Sequence, residues 1–233
     1  FKQKTAYEIP LRLVGSEMCI RDRLLIAQPD IGQTLLVIFC WAVLIFTSGI
    51  NIYILLAIFI AGASLLTYLI IYVPRFDYIQ GRIFSFFNRE TGTHNFQSDK
   101  AIESITSGGF FGKGIGEGVL KNRVPEAHTD YIISVISEEF GVVAIMLILL
   151  LFLILIYMVF KKISFETNDK VKLILIGSIS LILMQATIHV GVNIRLFPTT
   201  GMTLPFLSYG GSSIISTSIL GGIILNLTKR KIT

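Results

Sequence analysis

Cysteine and charge are both scarce in this chain. Its two cysteines, Cys19 and Cys40, are too few for a disulfide framework or a cysteine-rich metal site. Cys40 sits inside an apolar run, where a free thiol behaves as a small inert hydrophobe. Only 15% of the 233 residues are charged, too few for the surface of an ordinary soluble domain of this size. The net charge of +5 comes from short basic clusters between apolar runs, not from a continuous basic face. That is the pattern of membrane-flanking loops, and nucleic acid is excluded as a partner. No strand precedes the glycine-rich stretch 108–118, and it lacks the Gly-Lys-Ser/Thr ending. A dinucleotide fingerprint and a P-loop are both ruled out. There is no sustained internal repeat and no low-complexity tail.

Apolar residues are what the chain has in excess: 53% are hydrophobic and the mean hydropathy is +0.73. An all-α, polytopic transmembrane bundle is the expected fold, since a span needs about 20 apolar residues to cross roughly 30 Å of hydrocarbon. Spans are expected at about 32–49, 51–73, 131–160, 172–191 and 206–227. Basic clusters follow the second run (Arg75, Arg82, Arg89), flank the fourth (Lys161, Lys162, Lys170, Lys172) and close the chain (Lys229, Arg230, Lys231). All three should be cytoplasmic. One helix between the first two clusters would put them on opposite sides, so a weaker crossing near 96–112 is required, making about six spans. At ~1.5 Å per residue it is about 25 Å long, and its Asp99, Lys100 and Glu103 must face protein or water. Residues 113–130 then form a large extracytoplasmic loop. The alternative is one long cytoplasmic loop.

Residues 1–23 read differently from the rest. They have no initiator Met, no long apolar run and no amphipathic period. They are expected to be a non-native leader resembling translated sequencing adapter, with 24–233 the membrane domain proper.

Four stretches could carry chemistry. Glu126, His128, Asp130, Glu138 and Glu139 cluster at the mouth of the 131–160 helix, where ionisable groups are costly and functional by default. Thr129 or Asp130 would serve as N-cap, and an acid there suits the helix dipole. Asp130, Ser134 and Ser137 share one helical face with Glu138 on its flank, as in a helix lining a wet cavity. Glu138 and Glu139 are better read as structural, each paired with a cation from another helix. The glycine-rich stretch, with Lys113, Lys121 and Arg123 beside it, is either a backbone able to approach an anion or a tight loop at the membrane surface. Gln185, His189 and Asn193 recur every four residues, a pattern for interhelical hydrogen bonds more than for catalysis. Pro198, Gly201, Pro205, Gly210 and Gly211 imply irregular backbone at membrane depth, tolerated where it is buried in protein or lines a cavity.

At this point a resemblance can be named. PTTGMTLPFLSYGGSS is similar to the C-terminal signature of the SEDS family (shape, elongation, division and sporulation). PEAHTDYIISVISEEFG resembles that family's large extracytoplasmic loop and following helix, Gln28-Pro29-Asp30-Ile31-Gly32 the start of its fifth span, and SGGFFGKGIGEG the segment before the loop. The match covers residues 24–230, with the motifs in family order. Family members have ten spans, so this part corresponds to spans five to ten. Thr203 resembles the division-associated FtsW-type branch more than the rod-elongation RodA-type. Thr200 stands where the FtsW-type motif commonly has lysine, and Arg195 is a candidate to replace that cation.

The resemblance implies a peptidoglycan glycosyltransferase that polymerises lipid II into β-1,4 glycan strands and releases undecaprenyl pyrophosphate. Asp130 would be the general base, and Lys113, Lys121, Arg123, Arg195 and Ser212 would bind substrate or pyrophosphate. Glu126 and Asp130 are candidate ligands for a divalent cation (Mg or Mn). The implied partners are lipid II, a class B penicillin-binding transpeptidase and other divisome membrane proteins. The implied location is the bacterial inner membrane at the septum. A lipid-II transporter and a non-catalytic divisome scaffold are the competing functions. Residues 24–233 alone are expected to be inactive.

Overall fold

The computed structural model describes residues 31–73, 93–118 and 127–229, with isolated positions between 77 and 86. The proposed leader, Lys121, Arg123 and Glu126 lie outside the described residues. All regular structure among the described residues is helical. The chain divides into two compact units, 1–80 and 81–233.

In the first unit, α1 (Ile31–Thr47) and α2 (Ile52–Tyr72) pack as neighbours joined by a four-residue turn. Thr47 closes α1 by donating its hydroxyl to the Val43 and Leu44 carbonyls. Gly49 supplies the positive φ of the turn (+85°), and Asn51 Oδ1 accepts from Tyr53 N at 3.0 Å to start α2. α2 keeps its apolar side chains exposed on all faces, as a helix surrounded by lipid or further protein does.

The second unit contains α3 (Thr93–Gly108), α4 (Ile132–Phe165), α5 (Asp169–Asn193) and α6 (Gly211–Thr228). The C-terminal ends of α4 and α6 and the N-terminal half of α5 meet around Val159, Leu175, Ile179, Ile182 and Ile224. The other ends meet around Ile133, Ala186 and Leu204. Between α4 and α5, Glu166 is held near Lys162 (3.1 Å), whose hydrogen bond keeps that carboxyl below its usual pKa. Asn168 Oδ1 then caps α5 by accepting from Lys170 N, with Asp169 in the first turn suited to the helix dipole.

Helices α2, α4, α5 and α6 are long and apolar enough to cross a membrane, and α1 is a shorter apolar helix. The weak segment near 96–112 is a helix, α3, of 16 residues. Its charges are met by protein, Asp99 by Arg195 and Lys100 by Glu103. The final span starts at 211, not at 206. Phe206 has φ +67°, outside the right-handed helical region, so the helix cannot begin there.

The largest departure is in α4, which is not continuous. Gly141 has φ +80° and ψ −179°, and it separates a short segment, 132–140, from a long apolar rod, 142–165. In an unbroken helix Val142 N and Val143 N would bond the Glu138 and Glu139 carbonyls. Here they donate instead to Gly109 O (3.0 Å) and Phe110 O (3.3 Å), and those two carbonyls accept from Lys113 N (2.9 Å) and Gly114 N (3.0 Å). The glycine-rich loop thus takes over both missing helical bonds.

Candidate functional site

Asp130 sits in a turn, 127–131, that enters α4. It is not the N-cap. Tyr131 holds that position with no side-chain cap bond, because the turn continues past Asp130 and Ser134 N closes onto the Tyr131 carbonyl at 2.9 Å. Three parts of the chain converge on this turn. Asn193 Nδ2, at the end of α5, donates to Asp130 O at 3.1 Å. Tyr209 N donates to His128 O at 3.0 Å. Gly201, with φ +67°, brings its backbone so near that a Cβ there would lie 3.6 Å from Asp130 Oδ2. A half-buried carboxylate on a turn whose backbone is held by two other parts of the chain is suited to accept a proton from an incoming hydroxyl.

The segment 194–210 is irregular, as its prolines and glycines require, with positive φ at Arg195, Gly201 and Phe206. The polar stripe of α5 holds it. Gln185 Nε2 donates to Thr203 O (2.9 Å) and lies 3.2 Å from Ser213 Oγ, and His189 Nδ1 is 2.7 Å from Met202 O. The four-residue spacing does mark interhelical bonding. His189 Nε2, Asn193 Oδ1 and Thr200 Oγ1 are buried without a hydrogen-bond partner. Such atoms are ones that water or a bound polar group satisfies.

The Ser134–Ser137–Glu138 stripe does not line an open wet cavity. All three side chains are buried against α3, whose small residues Ala101, Ser104 and Gly108 allow the helices to touch backbone to backbone. A Cβ at Gly108 would lie 1.9 Å from Ser137 O. Ser104 Oγ donates to Ser134 O and Glu138 Oε2, both at 3.2 Å, and Ser137 Oγ to Ile105 O at 3.3 Å. The stripe is a polar seam between helices.

The candidate cations among the described residues, Lys113 and Arg195, are already engaged. Lys113 Nζ lies 3.4 Å from Glu138 Oε1, with 38% of its side chain still exposed. Glu138 is therefore paired, though with a loop lysine and not one from another helix. Arg195 pairs with Asp99. The loop is not an anion cradle, because the amides of Lys113 and Gly114 bond α4 and that of Gly116 bonds Glu139 Oε1 at 3.2 Å. Ser212 is exposed in the first turn of α6, its carbonyl accepting from Ser216 Oγ. Its neighbour Ser213 makes the inward contact, with Thr203 at 2.6 Å. Among the described residues no three His, Cys, Asp or Glu side chains could hold a metal ion, and Glu126 lies outside them. The described residues alone do not make the divalent-cation site expected from the carboxylates.

Next to the turn, an apolar groove of about 400 Å³ runs between α4 and α5, lined among others by Ile133, Ile145, Phe152, Leu183, Val190 and Phe197. Sequence reasoning missed Asn193 as a support for Asp130, Ser104 as the partner of the stripe, and the break at Gly141. The small-residue face of α3 was the available signal for the second.

A family model described as a cell cycle protein, FtsW/RodA/SpoVE, matches residues 4–232. Among similar proteins, the "Probable peptidoglycan glycosyltransferase FtsW" of Caulobacter vibrioides is 35% identical, covering 89% of this chain and 52% of its own. The proteins of that name from Francisella salina and Enterococcus hirae are 37% and 32% identical, covering 94% and 96% of this chain and 54% and 59% of theirs. The chain thus spans a little over half the length of the curated relatives it matches. A solved chain from work on the structural coordination of polymerization and crosslinking by a peptidoglycan synthase complex superposes with a TM-score of 0.67 at 26% identity. The superposition covers 98% of this chain and 62% of that one.

Proposed function

The chain belongs to the FtsW/RodA/SpoVE family of cell cycle proteins, and from that premise we propose that it forms the Asp130-bearing part of a peptidoglycan glycosyltransferase. The observation that carries this reading is the convergence of Asn193, Gly201 and Tyr209 on the turn that presents Asp130. A convergence of that kind fixes the backbone from which the one carboxylate projects.

In the proposed reaction the Asp130 carboxylate removes the proton of an acceptor sugar hydroxyl. The hydroxyl oxygen bonds to the anomeric carbon of lipid II as that carbon's bond to the pyrophosphate oxygen breaks. Charge then builds on the undecaprenyl pyrophosphate, which leaves. Lys113, still partly exposed beside Glu138, is within this chain's means of meeting that charge. The groove between α4 and α5 is predominantly apolar and suits a hydrocarbon chain.

Orientation follows from charge. The apolar run Val142–Phe160 is about 28 Å long at ~1.5 Å per residue and ends at Lys161 and Lys162. Placing those lysines in the cytoplasm puts Asp130 at the outer face of the inner membrane. Septal location and a class B penicillin-binding transpeptidase as partner belong to the same proposal. A superposition onto a complex concerned with both polymerization and crosslinking supports the latter.

The test is Asp130→Asn in the full-length protein, purified with its partner and supplied with lipid II. Glycan polymer should fall to background while the thermal melt and elution volume stay unchanged. Polymer at the unsubstituted level would overturn the reading. Lipid-II flipping that survives the substitution would favour a transporter, and complementation of division would favour a scaffold.

A further inference from the structure

We propose that Glu138 is a positioning residue for the reaction assigned to Asp130, setting the placement of the segment that carries it. This rests on the reading of Asp130 as general base. The break at Gly141 is what makes such a residue necessary. An unbroken α4 would inherit its orientation from the long rod 142–165. The segment 132–140 cannot, so contacts at its sides decide where its N-terminal turn points.

Glu138 is the residue where those contacts meet. Its side chain is fully buried. Oε2 accepts from Ser104 Oγ of α3 at 3.2 Å, and Oε1 faces Lys113 Nζ of the loop at 3.4 Å. The chain at Gly118 presses so closely that a Cβ there would lie 2.9 Å from Oε2. Ser104, itself fully buried, also holds Ser134 O one turn earlier. One carboxylate therefore joins the Asp130 segment to α3 and to the glycine loop, at its middle (Lys113) and at its last residue (Gly118).

A carboxylate is a costly way to fill a buried seam, because burying a charge is unfavourable unless it is paired and hydrogen-bonded. A glutamine would keep the shape and the Ser104 contact but lose the attraction to Lys113. Glu138 lies eight residues from Asp130, on the order of 12 Å along the segment at ~1.5 Å per residue. It acts through the segment and not on the substrate.

The experiment compares Glu138→Gln and Ser104→Ala with Asp130→Asn in the full-length protein with its partner, measuring kcat and KM for lipid II well below the melting temperature. Misplacing a catalytic group by a fraction of an ångström to an ångström costs up to about 100-fold. E138Q should therefore lower kcat about 10- to 100-fold with KM within about twofold, and the conservative Glu138→Asp should restore part of the loss. S104A, which removes one neutral donor, should lower kcat about three- to tenfold, also with KM unchanged. Unchanged kcat in E138Q with only a lower melting temperature overturns the proposal and leaves Glu138 as packing. If E138Q does not assemble, S104A decides alone, and an unchanged kcat there overturns it. An active D130N would instead overturn the function itself, whatever the other variants do.

Discussion

Asn193 gives both of its amide hydrogens to backbone oxygens, one to Asp130 and one to His189 of its own helix. It thereby ties the end of α5 to the turn that presents the carboxylate. Asn193→Ala should remove that tie and lower the rate of lipid-II polymerisation about three- to tenfold, with lipid-II affinity preserved, as read by initial rates and by binding of labelled lipid II. An unchanged rate would mean that Gly201 and Tyr209 hold the turn unaided. The periodicity of Gln185, His189 and Asn193 was legible because a four-residue spacing leaves one stripe on a helix. That the third member reaches a turn 63 residues away was not, since nothing local encodes a long-range partner. Asp130 itself could be picked out from its place in the His-Thr-Asp run. Its supports could not.

At the scale of elements, the glycines of the loop and of α4 act as one device. Gly141 and Gly112 both have positive φ, and a Cβ on either would sit 2.2 Å from a carbonyl oxygen of the other strand of the splice, Phe110 O or Glu139 O. Gly141→Ala should lower stability by at least about 2–3 kcal/mol, from the left-handed backbone strain and the clash together. Thermal unfolding in detergent measures this. A melting temperature equal to that of the unsubstituted protein would show that the helix simply closes across the break. Hydropathy could not reveal the break, because Gly141 opens a long apolar run and the pattern reads on through it. It could reveal the spans, whose predicted and observed limits differ by a few residues at most sites. The end of α4 and the start of α6 each differ by five, the latter because the residues after Pro205 are held in irregular backbone.

For the whole molecule, the arrangement makes a statement about sides. His128 and Thr167 are both exposed, and the single helix α4 lies between them. With Cys19 and Cys40 replaced by serine, His128→Cys should react with a membrane-impermeant maleimide in intact spheroplasts. Thr167→Cys should react only after permeabilisation. Labelling of both from one side would mean that α4 does not cross, and the outer placement of Asp130 would fall with it. Loop charge made this orientation legible in the sequence, since Lys161, Lys162, Lys170 and Lys172 bracket the α4–α5 connection. The side chains that cover the exposed faces of α2 were not legible, because residues in the lipid and residues against another helix are equally apolar.

The splice at Gly141 also constrains how such a chain can change over generations. Gly108, Gly112 and Gly141 each meet backbone, not a yielding side-chain tip, so no neighbouring substitution makes room for a side chain at one of them alone. The route to an unbroken helix would require the loop to leave, and with it the need for glycine at Gly112, whereas Gly108 would still face the Ser137 carbonyl of α4. Gly112 and Gly141 are therefore mutually dependent, each leaving the room that the other's backbone fills, and a side chain at either one requires the loop to find another place to bond.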